Sequence, residues 1–306
     1  MLKEMMISMQ AKKRTILLYG RTNAGKTAQI GELAEHVFAT TGKKTRLYTA
    51  DRGGTDTIRP YIDLGIIDAV EMGDTDPWIF LSHAVKGQVR DLDGKKWLPG
   101  TNDGIGLFAF ESMRAYAEAL MQYMSNQAAK NVNIGGGANV SFTVAGEGES
   151  LKVSGSNMAH YGISQAFMTD TIWASQNLDA PYILWTSSVS KDEDTTAAGK
   201  ILGPDVIGKA LTAETPRWFS LTFRLDVLPA TGGKTERHIL YMGNHSDVNA
   251  GNASGLGNTR LPLDATLASN AIEPASIVKA LELIDGGYVT AIDKIKKRLG
   301  SKLTSK

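Results

Sequence analysis

Cysteine is absent from the 306 residues. Its absence excludes disulfides, thiolate-ligated zinc and a thiol nucleophile, and it accords with a reducing compartment. An excess of either charge is missing too. Thirty-three Lys and Arg face 32 Asp and Glu, for a net charge of +1. A wholly basic, nucleic-acid-coating surface is thereby excluded, while a local basic patch is not. No apolar run reaches the length of about 18 residues that a membrane span needs, so none is expected. The opening MLKEMMISMQAKKR contains Glu4 and no apolar core, so no secretory signal is expected and the chain is placed in the cytoplasm. The five histidines lack H-x-x-x-H or a comparable ligand spacing, which argues against zinc. His160 and His245 read as structural or loop residues.

Apolar residues make up 42% of the chain and are spread along all of it, which excludes disorder as the main state. The run TILLY (15–19) reads as a strand, followed by a glycine-bearing turn at 20–26. Ile30, Leu33, Ala34, Val37 and Phe38 then recur at helical spacing up to Gly42. TRLYTA (45–50) closes a strand–helix–strand unit, the mark of a mainly parallel α/β sheet. Further along come a short helix at 56–63, a turn at Gly65, a strand near 66–72, and a polar loop or small hairpin within 84–103. The buried strand IGLFAF (105–110) and a helix at 113–124 follow. A β-hairpin insertion is expected within about 125–158, because Val140, Phe142 and Val144 alternate with polar residues, as do Leu151 and Val153 across GEGE. Then come a helix at 159–176, the strand YILWT (182–186), and a long polar loop at 190–215 carrying Asp192, Glu193 and Asp194. Two strands are expected at 218–228 and 238–242, then loop at 244–265. The C-terminus reads as two helices, 274–285 with Pro274 in the first turn and 288–299 after Gly286–Gly287. This organisation is one α/β domain over 1–268 and a helical extension over 269–306 with a basic tail. The five tryptophans are expected to pack in or near the core.

Residues 20–27 read Gly-Arg-Thr-Asn-Ala-Gly-Lys-Thr, the pattern G-x-x-x-x-G-K-T of a phosphate-binding loop. Gly20, Thr22, Asn23, Ala24 and Gly25 form a backbone curl that turns successive N–H groups toward phosphate oxygens. The helix that follows adds its positive end. Lys26 can reach the outer phosphates of ATP, and the Thr27 hydroxyl can ligate Mg2+. A metal-shell acid usually ends a buried strand of the same sheet. Glu111 directly follows 105–110 and suits that role; the other reading is an acid favoured by a helix N-terminus. Asp51 ends the second strand at the sheet's carboxyl edge. It reads either as the residue that polarises an attacking water or as a turn residue before Gly53–Gly54. Ser187 and Ser188, at the end of YILWT, read either as γ-phosphate sensors or as plain strand-end polarity.

The order of these elements resembles the RecA-like core ATPases over roughly residues 13–245. YTADRGGTDTIRPYIDLGI is similar to the segment that carries the catalytic acid there, which implies that role for Asp51. SNMAHYGISQAFMTDTIWAS resembles the helix after a first DNA-binding loop. IGKALTAETPRWFSLTFRLDV resembles the passage from a second DNA-binding loop into the next strand. The combination of FAFES, the Gly-rich insert, AHYG, ILWTSS and PRWFSLTFRLD looks like phage-encoded ATP-binding proteins similar to RecA-like single-strand annealing ATPases. The resemblance implies ATP and Mg2+ as ligands, single-stranded DNA as partner, action in a host cytoplasm, and a homo-oligomeric ring or filament. In such assemblies a neighbouring subunit supplies a cation, for which Arg217, Arg224, Lys209 and Arg237 are candidates. Two positions depart from the family pattern: Glu111 stands where aspartate is usual, and Ser187 where glutamine is. A second functional class, a nucleotide-switched loader or assembly factor of phage replication or packaging, fits the near-neutral charge.

Overall fold

The computed structural model describes residues 13–51, 53–91, 93–100, 103–129, 141–145, 150–154, 158–193, 200–207, 209–228, 236–242, 246–247, 252–253 and 271–299. Its centre is an eight-stranded mixed sheet. In chain order the strands are β1 (Arg14–Gly20), β2 (Lys44–Thr49), β3 (Ile67–Glu71), β4 (Ile105–Glu111), β5 (Tyr182–Ser187), β6 (Leu221–Leu228), β7 (Arg237–Tyr241) and β8 (Ala271–Ile272). They lie in the order β8-β7-β6-β1-β5-β4-β2-β3. The six strands from β6 to β3 are parallel; β7 and β8 add an antiparallel edge.

The period-2 geometry of the strands divides the core between two faces. Leu17, Tyr19, Phe108, Phe110 and Trp185 face one side; Ile16, Leu18, Leu107, Ala109 and Leu184 face the other. Parallel strands carry apolar residues on both faces because helices cover both. The first face is covered by α3 (Pro77–Ala84), α4 (Met113–Ala129) and α5 (Met158–Ser175), through residues such as Phe80, Tyr116 and Ile172. The second is covered by α1 (Lys26–Thr41) and by α7 (Ile277–Leu299), through Ile30, Leu33, Val37, Ile277 and Leu281. The short helices α2 (Arg59–Asp63) and α6 (Lys209–Glu214) complete the set. No helix among the described residues is long and apolar enough to cross a membrane.

The expected strands all form within a few residues of their expected limits. Gly42 caps α1 at φ 69°, a left-handed conformation natural to glycine. The small hairpin expected in 84–103 is the pair Val89–Arg90 with Trp97–Leu98. Within 125–158, α4 continues to Ala129, and Ser141–Ala145 pairs antiparallel with Ser150–Ser154. The GEGE turn itself lies outside the described residues.

Three expectations are corrected and one helix is added. The 190–215 stretch is not a long loop. Val189–Glu193 pairs antiparallel with Lys200–Pro204, and α6 follows; residues 194–199 and 208 lie outside the described set. Helix α3 lies in a stretch to which the sequence pattern assigned no element. Its signal is Asp76–Pro77: the Asp76 carboxylate accepts from the Trp78 and Ile79 amides, and Pro77 occupies the first turn. Trp173 is half exposed, whereas Trp185 is fully buried. Finally, the C-terminus forms one helix, not two, and Pro274 precedes it. Ser276 starts it, its hydroxyl accepting from the Lys279 amide at 3.1 Å. The helix runs through Gly286 and Gly287 because its buried stripe of Ile277, Ala280, Leu281, Ile284, Gly287 and Ala291 keeps helical spacing across them. Two interior glycines cost about 1 kcal/mol each, less than the stripe's burial contributes. Ala271–Ile272 extends the sheet, and the Ile277 amide donates to Gln29 Oε1 of α1, so residues 271–299 pack against the α/β core.

A Cβ on Gly286 meets nothing within 4 Å. Gly286→Ala is therefore expected to stabilise the protein by about 0.5–1 kcal/mol, read from urea denaturation. A loss of stability would mean that the helix breaks there.

Candidate functional site

The carboxyl ends of β1, β2, β4 and β5 open onto one cleft of about 660 Å3. On one wall is the turn between β1 and α1. Asn23 (φ 62°) and Gly25 (φ 95°) both take left-handed backbone, which asparagine and glycine tolerate best. Gly20 is required for a different reason: a Cβ there would lie 2.2 Å from the Leu225 carbonyl oxygen of neighbouring β6. The first turn of α1 has no side-chain cap and no acid, so its free amides and dipole present a positive end to the cleft. The Ala24 carbonyl is held by the His238 ring nitrogen Nδ1 at 3.0 Å, from antiparallel strand β7. His238 was not singled out by sequence; only the antiparallel strand brings it to the loop. Lys26 Nζ donates to the Gly20 and Arg21 carbonyls at 3.0 and 2.9 Å. Burial lowers its pKa, while Glu111 and Asp51 pull it back up.

The opposite wall carries the acids. β2 and β4 pair so that Thr49 stands beside Glu111. Glu111 is 4% exposed, its Oε1 accepts a hydrogen bond from the Thr27 hydroxyl, and its Oε2 is buried with no hydrogen-bond partner. Burial raises its pKa above the ordinary carboxylate value; the Thr27 hydrogen bond opposes that, the Asp51 charge adds to it, and the neighbouring Thr49 hydroxyl and Lys26 charge oppose it further. Asp51, two residues past β2, is exposed and lines the cleft. Gly54 lies between the two acids: a Cβ there would be 3.1 Å from Asp51 Cβ and 3.3 Å from Glu111 Oε2. Ser112 holds a left-handed backbone (φ 69°), strain of about 1 kcal/mol or more next to the site. Its amide donates to Thr186 Oγ1 at 2.9 Å.

Lys26, Thr27, Asp51 and Glu111 thus come together, with Thr22, Asn23 and Gly25 lining the same cleft. Ala24 is buried behind it. Ser187 is placed differently. It is fully buried and its hydroxyl donates to the Asp205 carbonyl at 2.9 Å, while its neighbours Thr186 and Ser188 line the cleft. Arg114 and Glu118 of α4 also line it and were not expected. Their signal was available, since helical spacing from Ser112 puts 114 and 118 near one another.

A hard cation fits these residues: a hydroxyl and a carboxylate meet at the cleft beside a phosphate-type loop. No group of three or more His, Cys, Asp or Glu among the described residues could hold a metal alone. A Mg2+ that takes most of its ligands from phosphate and water does not need one. Thr27 and Glu111 are the residues that would hold it.

Gly20→Ala is expected to destabilise the fold by about 1–3 kcal/mol, because the Leu225 backbone cannot withdraw without disturbing the sheet; chemical denaturation measures it. Glu111→Gln should melt above the unsubstituted protein at neutral pH. The sign follows from the raised pKa: ionising Glu111 opposes folding above that pKa and costs nothing below the ordinary carboxylate range. The gap should therefore close as pH falls through the raised pKa, and a gap independent of pH would contradict it. Neither the family models nor the curated proteins give a match to this chain.

Proposed function

We propose that the chain is a RecA-like ATPase that binds Mg2+–ATP at residues 20–27 and acts on single-stranded DNA in phage recombination or annealing. The observation that carries this reading is the contact of the Thr27 hydroxyl with Glu111, whose second carboxylate oxygen is buried and unpartnered. Buried carboxylate oxygens are ordinarily hydrogen-bonded, so this one is suited to a further ligand. Lys26 neutralises phosphate charge once its hydrogen bonds to the Gly20 and Arg21 carbonyls are exchanged for phosphate oxygens. Asp51, exposed at the cleft, is the group that accepts a proton from, or orients, the attacking water. Bound Mg2+ would neutralise charge on the outer phosphates.

Single-stranded DNA as partner, assembly into a homo-oligomeric ring or filament, and a host cytoplasm follow from the family resemblance. Among the cations considered for action across a subunit boundary, Arg224 donates to Asp226 at 2.6 Å and Arg237 pairs with Glu273. Arg217 is exposed; the side chain of Lys209 lies outside the described set.

A second reading is favoured by one observation. Glu111, not aspartate, stands at the buried strand end where the family pattern has its metal-shell acid. A nucleotide-switched loader or assembly factor with little turnover would use the same cleft. ATP hydrolysis with and without single-stranded DNA separates the two. The ATPase reading expects DNA to raise the rate severalfold and Lys26→Ala to lower it by about 100-fold or more. ATP binding with a rate that DNA leaves flat would favour the switch.

A further inference from the structure

Two cations line the cleft among the described residues: Lys26 on the loop wall and Arg114 in the first turn of α4. The loop is where the phosphates of a nucleotide would be gripped, with Lys26 reaching toward the outer ones. Arg114 lines the same cleft, as do Glu111 and Ser188. Its guanidinium is engaged by two acids. Nε donates to Glu118 Oε1 at 2.6 Å and Nη1 to Asp205 Oδ1 at 2.9 Å. The side chains of Arg114, Glu118 and Asp205 are 45%, 62% and 22% exposed. Ion pairs this wet are held weakly and exchange readily for a better anion.

Asp205 is not an ordinary surface acid. It directly follows the paired strands Val189–Glu193 and Lys200–Pro204, and Ser187 and Ser188 directly precede them. Its amide donates to the Ser188 carbonyl at 2.7 Å, and its carbonyl accepts from Ser187 Oγ at 2.9 Å. Its Oδ2 accepts from Ser188 Oγ at 3.4 Å. Both ends of the hairpin are thus tied at Asp205, and Asp205 is tied to the cleft through Arg114.

We propose that Arg114 is the residue by which this cleft tells a nucleoside triphosphate from a diphosphate, and that the terminal phosphoryl group takes the guanidinium from Asp205 and so loosens the 189–204 hairpin. A terminal phosphoryl group offers oxygens whose charge and geometry suit a guanidinium fork better than two separate, partly exposed carboxylates. A diphosphate held at the loop lacks that group and leaves the Arg114–Asp205 pair in place. The coupling needs only two states of one side chain, each with its own partners.

The inference rests on the nucleotide reading above, and its test separates the two. Affinities for Mg2+–ADP and for the Mg2+ complex of the β,γ-imido analogue of ATP are measured by calorimetry. Amide hydrogen exchange over 189–204 is followed in the same samples. In the unsubstituted protein the triphosphate analogue is expected to speed exchange of the hairpin relative to ADP. Arg114→Gln should weaken the analogue by about tenfold, leave ADP within about twofold, and abolish the exchange difference. Arg114→Lys, which keeps the charge without the fork, should recover only part of the affinity. Asp205→Asn should speed hairpin exchange with no nucleotide present. If the analogue binds but Arg114→Gln weakens both nucleotides equally, or the exchange difference survives it, the inference is overturned and the nucleotide reading stands. If the unsubstituted protein binds neither nucleotide, both fall together.

Discussion

A carboxylate withheld from water at the end of a buried strand is the constraint around which the cleft is organised. Glu111 closes β4, a strand buried along its whole length. Its neighbour Phe110 stacks on Trp185 of β5 at 4.5 Å and on Tyr48 of β2 at 5.3 Å. These rings tie three adjacent parallel strands together beside the acid. Trp185 is itself anchored by its Nε1 donating to Ser175 of α5 at 3.0 Å. Tyr116, fully buried in the same cluster, has its ionisation pushed well above the ordinary range by burial and then by the Glu111 charge, which marks how poorly this region accommodates another charge.

The loop wall answers that constraint. Thr27 donates to Glu111, and Lys26 supplies positive charge beside it, while the amides of α1 remain uncapped. Uncapped donors therefore stand on one wall of the cleft and a buried acceptor on the other. The backbone strain at Ser112 belongs to the same economy. Its left-handed turn swings the chain from β4 into α4, so that Glu111 and Arg114 line one cleft.

Supports for the site come from elements distant in sequence. His238 of β7 braces Ala24, and β6 forces glycine at position 20. The 189–204 hairpin enters through Asp205, which fastens the end of β5 and reaches Arg114. The antiparallel edge and the hairpin therefore belong to the surroundings of the cleft, although neither contributes to its central motif.

By itself the sequence determined the alternation of strand and helix, the phosphate-type loop, and the strand ends that carry Asp51 and Glu111. These are local signals: hydrophobic period, glycine placement and short spacing all act within a few residues. Tertiary structure decided the rest. Strand order placed Thr49 beside Glu111 across β2 and β4, which no linear spacing encodes. Packing of a continuous apolar stripe carried α7 through two glycines that read locally as a break. Hydrogen bonding to Asp205 turned Ser187 away from the cleft and left Thr186 and Ser188 to line it. Contacts such as Arg114–Asp205, 91 residues apart in the chain, exist only once the sheet has brought its strand ends to one edge.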